Sequence, residues 1–176
     1  MPFKNNKFDL ITSSFTLHWC FEIEKIFFDI YRFLNDKGLF LFTTVGPSTL
    51  DELDTAYYEA GDSVRHTNYF SDMHTYGDLL LKLGFHDPVM DTEKIIIEYK
   101  TFKDVLDSLR KTGANTVTEL VPSYTSKDSY RKLSEAYPIN QSNKRYPVTY
   151  EMIYGTAWKN PENTDENTGV IPIKKI

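Results

Sequence analysis

The sequence lacks the features that anchor several common chemistries. It has one cysteine, Cys20, in 176 residues. A single thiol cannot close an internal disulfide or build a zinc cage. Its four histidines, His18, His66, His74 and His86, show no H-E-x-x-H spacing, so no helix-borne zinc site is expected. No two of the eight glycines are separated by a single residue. The chain therefore holds no G-x-G turn of the kind that lets backbone approach a nucleotide, and no P-loop. There is no G-x-S-x-G elbow for a serine hydrolase either. No run is long and apolar enough to span a bilayer. The opening residues, Met1-Pro2-Phe3-Lys4-Asn5-Asn6-Lys7, have no apolar signal-peptide core. Together with the lone thiol, this fits a cytoplasmic protein.

Positive charge is also scarce. The net charge is −5, which argues against general nucleic-acid binding. The scarcity is uneven. Between Lys100 and Arg145 there are nine basic and five acidic residues, a local balance of +4, which leaves −9 for the remainder. Such a stretch is either a set of solvated helix faces or a docking patch for an acidic partner.

What the chain has in quantity is aromatic surface: 12 Tyr and 12 Phe, in a 40% hydrophobic sequence. That suits one globular domain with half-buried walls and pockets. Phe8 to Phe15 reads as a strand. Ile23, Ile26, Phe27, Ile30 and Leu34 recur at helical spacing, so a helix is expected from Glu22 to Leu34, ended by the turn residues 35–38. Leu39 to Val45 is an almost unbroken apolar run, as in strands covered on both faces. Ser48 or Thr49 is placed to cap a helix reaching Ala60, and Ser71 to cap another reaching Leu83 and closed by Gly84. Pro88 to Tyr99 reads as a strand, Thr101 to Thr112 and Ser126 to Ala136 as helices, and Tyr146 to Trp158 as a last strand. The composition turns polar after Lys159. Alternating strands and helices predict an α/β sheet. The late strands are longer and separated by insertions, which suits a final antiparallel pair.

Three stretches carry a family resemblance. The first is Phe8-Asp9-Leu10-Ile11 through Leu17-His18-Trp19-Cys20 to Leu34-Asn35-Asp36-Lys37-Gly38-Leu39. It resembles the fourth and fifth strands of class I methyltransferases. The second is Gly46-Pro47-Ser48-Thr49-Leu50-Asp51-Glu52-Leu53, then Phe70-Ser71-Asp72-Met73-His74, then Gly84-Phe85-His86-Asp87-Pro88-Val89-Met90-Asp91. The third is Tyr150-Glu151-Met152-Ile153-Tyr154-Gly155-Thr156-Ala157-Trp158-Lys159. Together they resemble the malonyl-acyl carrier protein O-methyltransferases of biotin synthesis, in the family's order. The Leu17-His18-Trp19 region is shared with a mitochondrial complex I assembly factor described as an arginine hydroxylase.

The resemblance implies a Rossmann-like sheet, with the last strand pair antiparallel and a helical lid insertion at about 47–75. A second insertion lies at about 100–145, and a polar tail follows at 160–176. Residues 1–159 would be an incomplete methyltransferase domain, without the opening strands and glycine turn. The complete enzyme would transfer a methyl group from S-adenosylmethionine to a malonyl carboxylate carried on acyl carrier protein. This chain alone would bind that cofactor poorly. On the family's pattern Ser13, Ser14 and Leu17 lie beside the cofactor. Ser13 and Ser14 are equally well read as strand-end hydroxyls bonded to backbone. His18, Trp19, Arg65, His66, Tyr69, Phe70 and His74 fall where the acceptor substrate would sit. For any one histidine a structural role is the commoner case. Lys103, Arg110, Lys127, Arg131 and Lys132 are the candidate carrier-protein docking residues. A separately encoded N-terminal half or a second copy would cover the strand at Phe8 to Phe15, whose Leu10 and Ile11 otherwise lose cover. The rival expectation is a non-catalytic, methyltransferase-like remnant acting as an interaction module.

Overall fold

The computed structural model describes residues 7–62, 67–112 and 126–160. Four strands and five helices follow one another as β1 (Phe8–Ser14), α1 (Ile23–Phe33), β2 (Leu34–Val45), α2 (Asp51–Glu59), α3 (Met73–Lys82), β3 (Phe85–Tyr99), α4 (Phe102–Thr112), α5 (Lys127–Ala136) and β4 (Tyr146–Lys159). One sheet takes the order β1-β2-β4-β3. β1 and β2 run parallel, while β4 is antiparallel to both neighbours. The expected α/β sheet with a late antiparallel pair is what the chain forms. No described helix is long and apolar enough to cross a membrane.

Alternation along β2 sets the layers. Phe40, Phe42 and Thr44 are buried, while Leu39, Leu41 and Thr43 between them are only half-buried. Against the buried face lie α1 and α3. Phe27 is fully buried there, with ring centroids 5.3 Å from Phe40, 5.5 Å from Phe42 and 6.1 Å from Tyr76. Leu17, Ile30, Leu80, Phe85, Ile153 and Ala157 complete this first core. A second core lies apart from it. It joins Leu53 and Ala56 of α2 to Phe102, Val105 and Leu109 of α4, Leu133 of α5 and Val148 of β4.

The expectation that the Leu39–Val45 run is covered on both faces is therefore corrected. One face packs. The other carries Leu10, Trp158, Val89 and Tyr154, all exposed, in register with Leu39, Leu41 and Thr43. β1 forms one edge of the sheet, and Leu10 is 52% exposed. Ile11 points the other way and packs, half-buried, against the first core.

Three local expectations shift by a residue or more. The 35–38 segment belongs to the extended β2 strand, with Lys37 at φ 62°. Helix α3 is capped by Asp72 rather than Ser71, its carboxylate accepting from the Thr75 N–H at 2.7 Å. Helix α2 begins after Leu50, at φ 66°, with no side-chain cap. Ser48 and Thr49 are engaged elsewhere. The Ser48 N–H donates to the Glu151 carboxylate at 2.8 Å, and the Thr49 hydroxyl donates to the Glu151 carbonyl at 3.3 Å. Glu52 in turn accepts from the Thr149 N–H at 3.0 Å and from the Thr149 hydroxyl. These bonds fasten the start of α2 to β4.

Candidate functional site

The site begins where β1 ends. Phe15 leaves the strand at φ 47°, a strained setting for an aromatic residue, while its N–H still donates to the Thr43 carbonyl at 2.9 Å. The chain then makes a single 3-10 turn, Leu17–Trp19, held by the Trp19 N–H on the Thr16 carbonyl and the Cys20 N–H on the Leu17 carbonyl. Leu17 plugs the first core. With Leu17 fixed inward, His18 and Trp19 are set along the rim at the carboxyl ends of β1 and β2. Open α/β sheets receive ligands at such ends.

Two cavities flank this segment. One, of about 440 Å³, is lined by Phe15, His18 and Trp19, by Val45, Thr49 and Leu50 after β2, and by Asn68 and Phe70. Its far wall is Ile95, Ile97 and Tyr99 of β3, Ser108 of α4, and Tyr150 and Met152 of β4. The other, of about 500 Å³, lies along the β1 edge against α1, and Ser13, Ser14, Thr16, Leu17 and Cys20 line it.

The first cavity is largely apolar, with a few converging polar groups, as small-molecule sites commonly are. None of its described lining residues is a lysine, arginine or carboxylate. The His18 ring lies 5.0 Å from Trp19 and 6.0 Å, edge-on, from Phe70. Burial lowers the His18 pKa from the ordinary histidine value, which favours the neutral ring. Its Nδ1 is buried and has no hydrogen-bond partner among the described residues. Burial also raises the Tyr150 pKa, so its hydroxyl stays a donor at neutral pH.

The candidate residues thus separate. His18, Trp19 and Phe70 share the 440 Å³ cavity, and Ser13, Ser14 and Leu17 share the other. Tyr69 is 74% exposed, and neither it nor His74, exposed on α3, lines the first cavity. Both therefore stand outside this cavity, His74 on the exposed face of α3. Arg65 and His66 lie outside the described residues. Asn68, Tyr99, Ser108 and Tyr150 are not among the site residues that the sequence singles out. A signal existed for part of that wall, since Ile95, Ile97 and Tyr99 alternate along β3 and so share a face.

The docking candidates are exposed but not bare. Lys103 and Arg110, seven apart on α4, do share a face, where both bind the Asp107 carboxylate at 2.6 and 3.1 Å. On α5, Asp128 accepts from Arg131 at 2.8 Å and pairs with Lys132 at 3.3 Å. Lys127 opens the same helix.

The cavity along β1 tests whether S-adenosylmethionine fits the residues present. Ser13, Ser14 and Thr16 offer hydroxyls, and the rest of the lining is apolar apart from Thr12 and the Cys20 thiol. A nucleoside of this kind needs close backbone approach and an acid for its ribose hydroxyls. Among its described lining residues there is no glycine and no carboxylate. These residues form one wall of such a site and do not fit the whole group. Among the described residues no cluster of His, Cys, Asp or Glu is arranged to hold a metal.

This architecture is shared with solved structures. The chain superimposes on the YcgJ protein of Bacillus subtilis with a TM-score of 0.57 at 15% identity, covering 92% of this chain and 68% of that one. A candidate methyltransferase of Bacillus halodurans gives 0.55 at 17% identity, with the same coverage. The family profile described as "Methyltransferase domain" matches residues 1–42. Fold and sequence together define a domain of the class I methyltransferase type. Within that class, the chain is a relative of the malonyl-[acyl-carrier protein] O-methyltransferases. It is 36% identical to the one from Gallionella capsiferriformans over 90% of this chain and 55% of that protein. To the one from Legionella pneumophila it is 34% identical over 100% of this chain and 63% of that protein. The mitochondrial arginine-hydroxylase NDUFAF5 of Dictyostelium discoideum is 31% identical over 88% of this chain and 37% of that protein. The chain thus spans between about a third and two thirds of the length of these relatives.

Proposed function

We propose that this chain is the acceptor-binding part of a cytoplasmic malonyl-[acyl-carrier protein] O-methyltransferase. The observation that carries the reading is the 440 Å³ cavity at the carboxyl ends of β1 and β2, in a chain related to those enzymes. A malonyl carboxylate is ionised at neutral pH, so methyl transfer to it needs no strong base. The protein's tasks are to hold one oxygen in line and to keep water out. Phe15, Trp19, Ile97 and Met152 supply apolar walls for the second task. S-adenosylmethionine, bound in the complete enzyme, supplies the methyl group as a sulfonium. Ser13, Ser14 and Leu17 form the wall this chain contributes beside it, and Arg65 and His66 remain candidates on the acceptor side. Because the described lining of the β1 cavity holds no glycine and no carboxylate, calorimetric titration of this chain with S-adenosylmethionine should show no saturable micromolar binding.

The exposed edge of β1 and the open sheet face favour a partner there, either a separately encoded N-terminal half or a second copy. The same surface is what a non-catalytic interaction module would use.

The test is binding of malonyl-loaded acyl carrier protein to this chain. The partner is acidic, and exposed cations mainly speed encounter and weaken with salt. The R131E/K132E double variant should bind roughly tenfold more weakly at low salt, by loss of steering. D128N removes the carboxylate these two cations share, leaving Arg131 its longer 3.7 Å pair with Glu135, and should bind more tightly. A malonyl pantetheine thioester, lacking the carrier, should bind all three proteins alike. Equal effects on carrier and thioester would point to misfolding, and failure of the thioester to bind the unaltered chain would sink the reading.

A further inference from the structure

Resting on the acceptor-site reading above, the geometry points to His18 as the neutral donor that holds the substrate carboxylate, through Nε2–H, with Nδ1 left bare. His18 lines the cavity, and its Nδ1 is buried without a partner among the described residues. A proton on Nδ1 would be an orphaned buried N–H, which folded proteins rarely tolerate. In an imidazolium that orphan would also carry charge against apolar walls. In the tautomer with the proton on Nε2 the charge is gone and Nδ1 is an unpaired acceptor, a lesser cost than an orphaned N–H. The buried Nδ1 edge leaves the opposite edge of the ring as the one the cavity reaches. Trp19 at 5.0 Å and Phe70 at 6.0 Å, edge-on, fix the ring plane. The lowered pKa of the buried ring agrees with the neutral form. Among the described lining residues, Tyr99 comes from β3 and Tyr150 from β4, and burial raises the Tyr150 pKa, which keeps that hydroxyl neutral.

A neutral donor suits this reaction. A lysine or arginine would bind the carboxylate more strongly but draw charge from both oxygens. One imidazole N–H takes a single oxygen and leaves the other able to attack. Specificity follows as well. An acyl thioester without a carboxylate offers Nε2–H no anionic acceptor, and a buried donor left unmatched disfavours that ligand.

The full chain, with its histidines labelled with nitrogen-15, tests this by long-range proton–nitrogen correlation. The His18 signal is the one lost in H18Q. It should show the Nε2–H tautomer at pH 7. Malonyl pantetheine thioester should move its Nε2 signal, and acetyl pantetheine thioester should not. By calorimetry, H18A should bind the malonyl thioester roughly tenfold or more weakly, as loss of a hydrogen bond to a charged group predicts. H18Q keeps a neutral donor of similar reach and should stay within about threefold of the unaltered chain, which also keeps the test readable if H18A fails to fold. An Nδ1–H tautomer, or equal binding by H18A, overturns the assignment of His18 alone. No binding of the malonyl thioester by the unaltered chain overturns the acceptor-site reading and this assignment with it, even with the tautomer as expected.

Discussion

Replacing Gly155 by valine should leave the chain unable to hold its native fold, or less stable by at least about 3 kcal/mol, the upper range for overpacked cores. Gly155 sits in the middle of β4, paired with Phe42 on one side and Met90 on the other. A Cβ there would fall 2.2 Å from Phe42 Cζ and 2.3 Å from Cε1. The ring cannot step aside, because its centroid already lies 5.0 Å from Phe40, 5.5 Å from Phe27 and 5.8 Å from Tyr76. Here space, not backbone freedom, requires glycine. G155A should lose about 1–3 kcal/mol on the same ground. F42L shortens the offending ring, so the G155A/F42L pair should be more stable than the sum of the single losses predicts. Urea denaturation of the unaltered chain and the four variants measures this directly. An unchanged midpoint for G155V would show that the sheet tolerates separation at this point, contrary to the packing.

The sequence made this glycine visible as part of a signature but not the reason for it. What was legible was what local periodicity encodes. The spacing of Ile23, Ile26, Phe27 and Ile30 located α1 to within a residue or so at each end, and the strands were found because β-branched and aromatic residues cluster in them. What failed depended on distant partners. Ser48 and Thr49 look like caps, yet Glu151, 103 and 102 residues away, claims them. Ser71 and Asp72 are both good caps, and only the bond to the Thr75 N–H decides between them. The β2 run is apolar on both faces, but no run of residues states how many layers will cover it. The same limit applied to the site. Leu17, His18 and Trp19 lie on one short turn and could be picked out together. Tyr99 and Tyr150 meet only because the β3–β4 register puts Ile95 opposite Tyr150, and a register is not written in either strand alone. The docking cations show a further gap. Charge counting found the basic stretch, but Asp107 and Asp128, within the same helices, take up much of what it counted.

Truncating Phe102 to alanine should cost about 3–5 kcal/mol, as for other fully packed aromatic residues, and the loss should be local. Phe102 is 2% exposed, with ring centroids 5.2 Å from Tyr137, 5.5 Å from Tyr130 and 6.2 Å from Tyr146. It anchors the second core, which shares no residue with the first. The two meet chiefly through β4, where Val148 serves one and Ile153 and Ala157 the other. Cooperative units of this size often open independently. Amide hydrogen exchange should therefore show protection falling in α2, α4 and α5, with α1 and the Leu39–Val45 part of β2 close to their former values. The cavity should suffer with the second core. Leu50 belongs to that core, and Tyr99 and Tyr150 pack against it while lining the cavity. Affinity for the malonyl thioester should consequently drop in F102A, although Phe102 does not line the site. A uniform loss of protection in α1 and α5 would mean that the two cores open as one. In that case the pocket's floor and the methyltransferase-type sheet would form a single cooperative unit, and F102A would be indistinguishable from a truncation of Phe27.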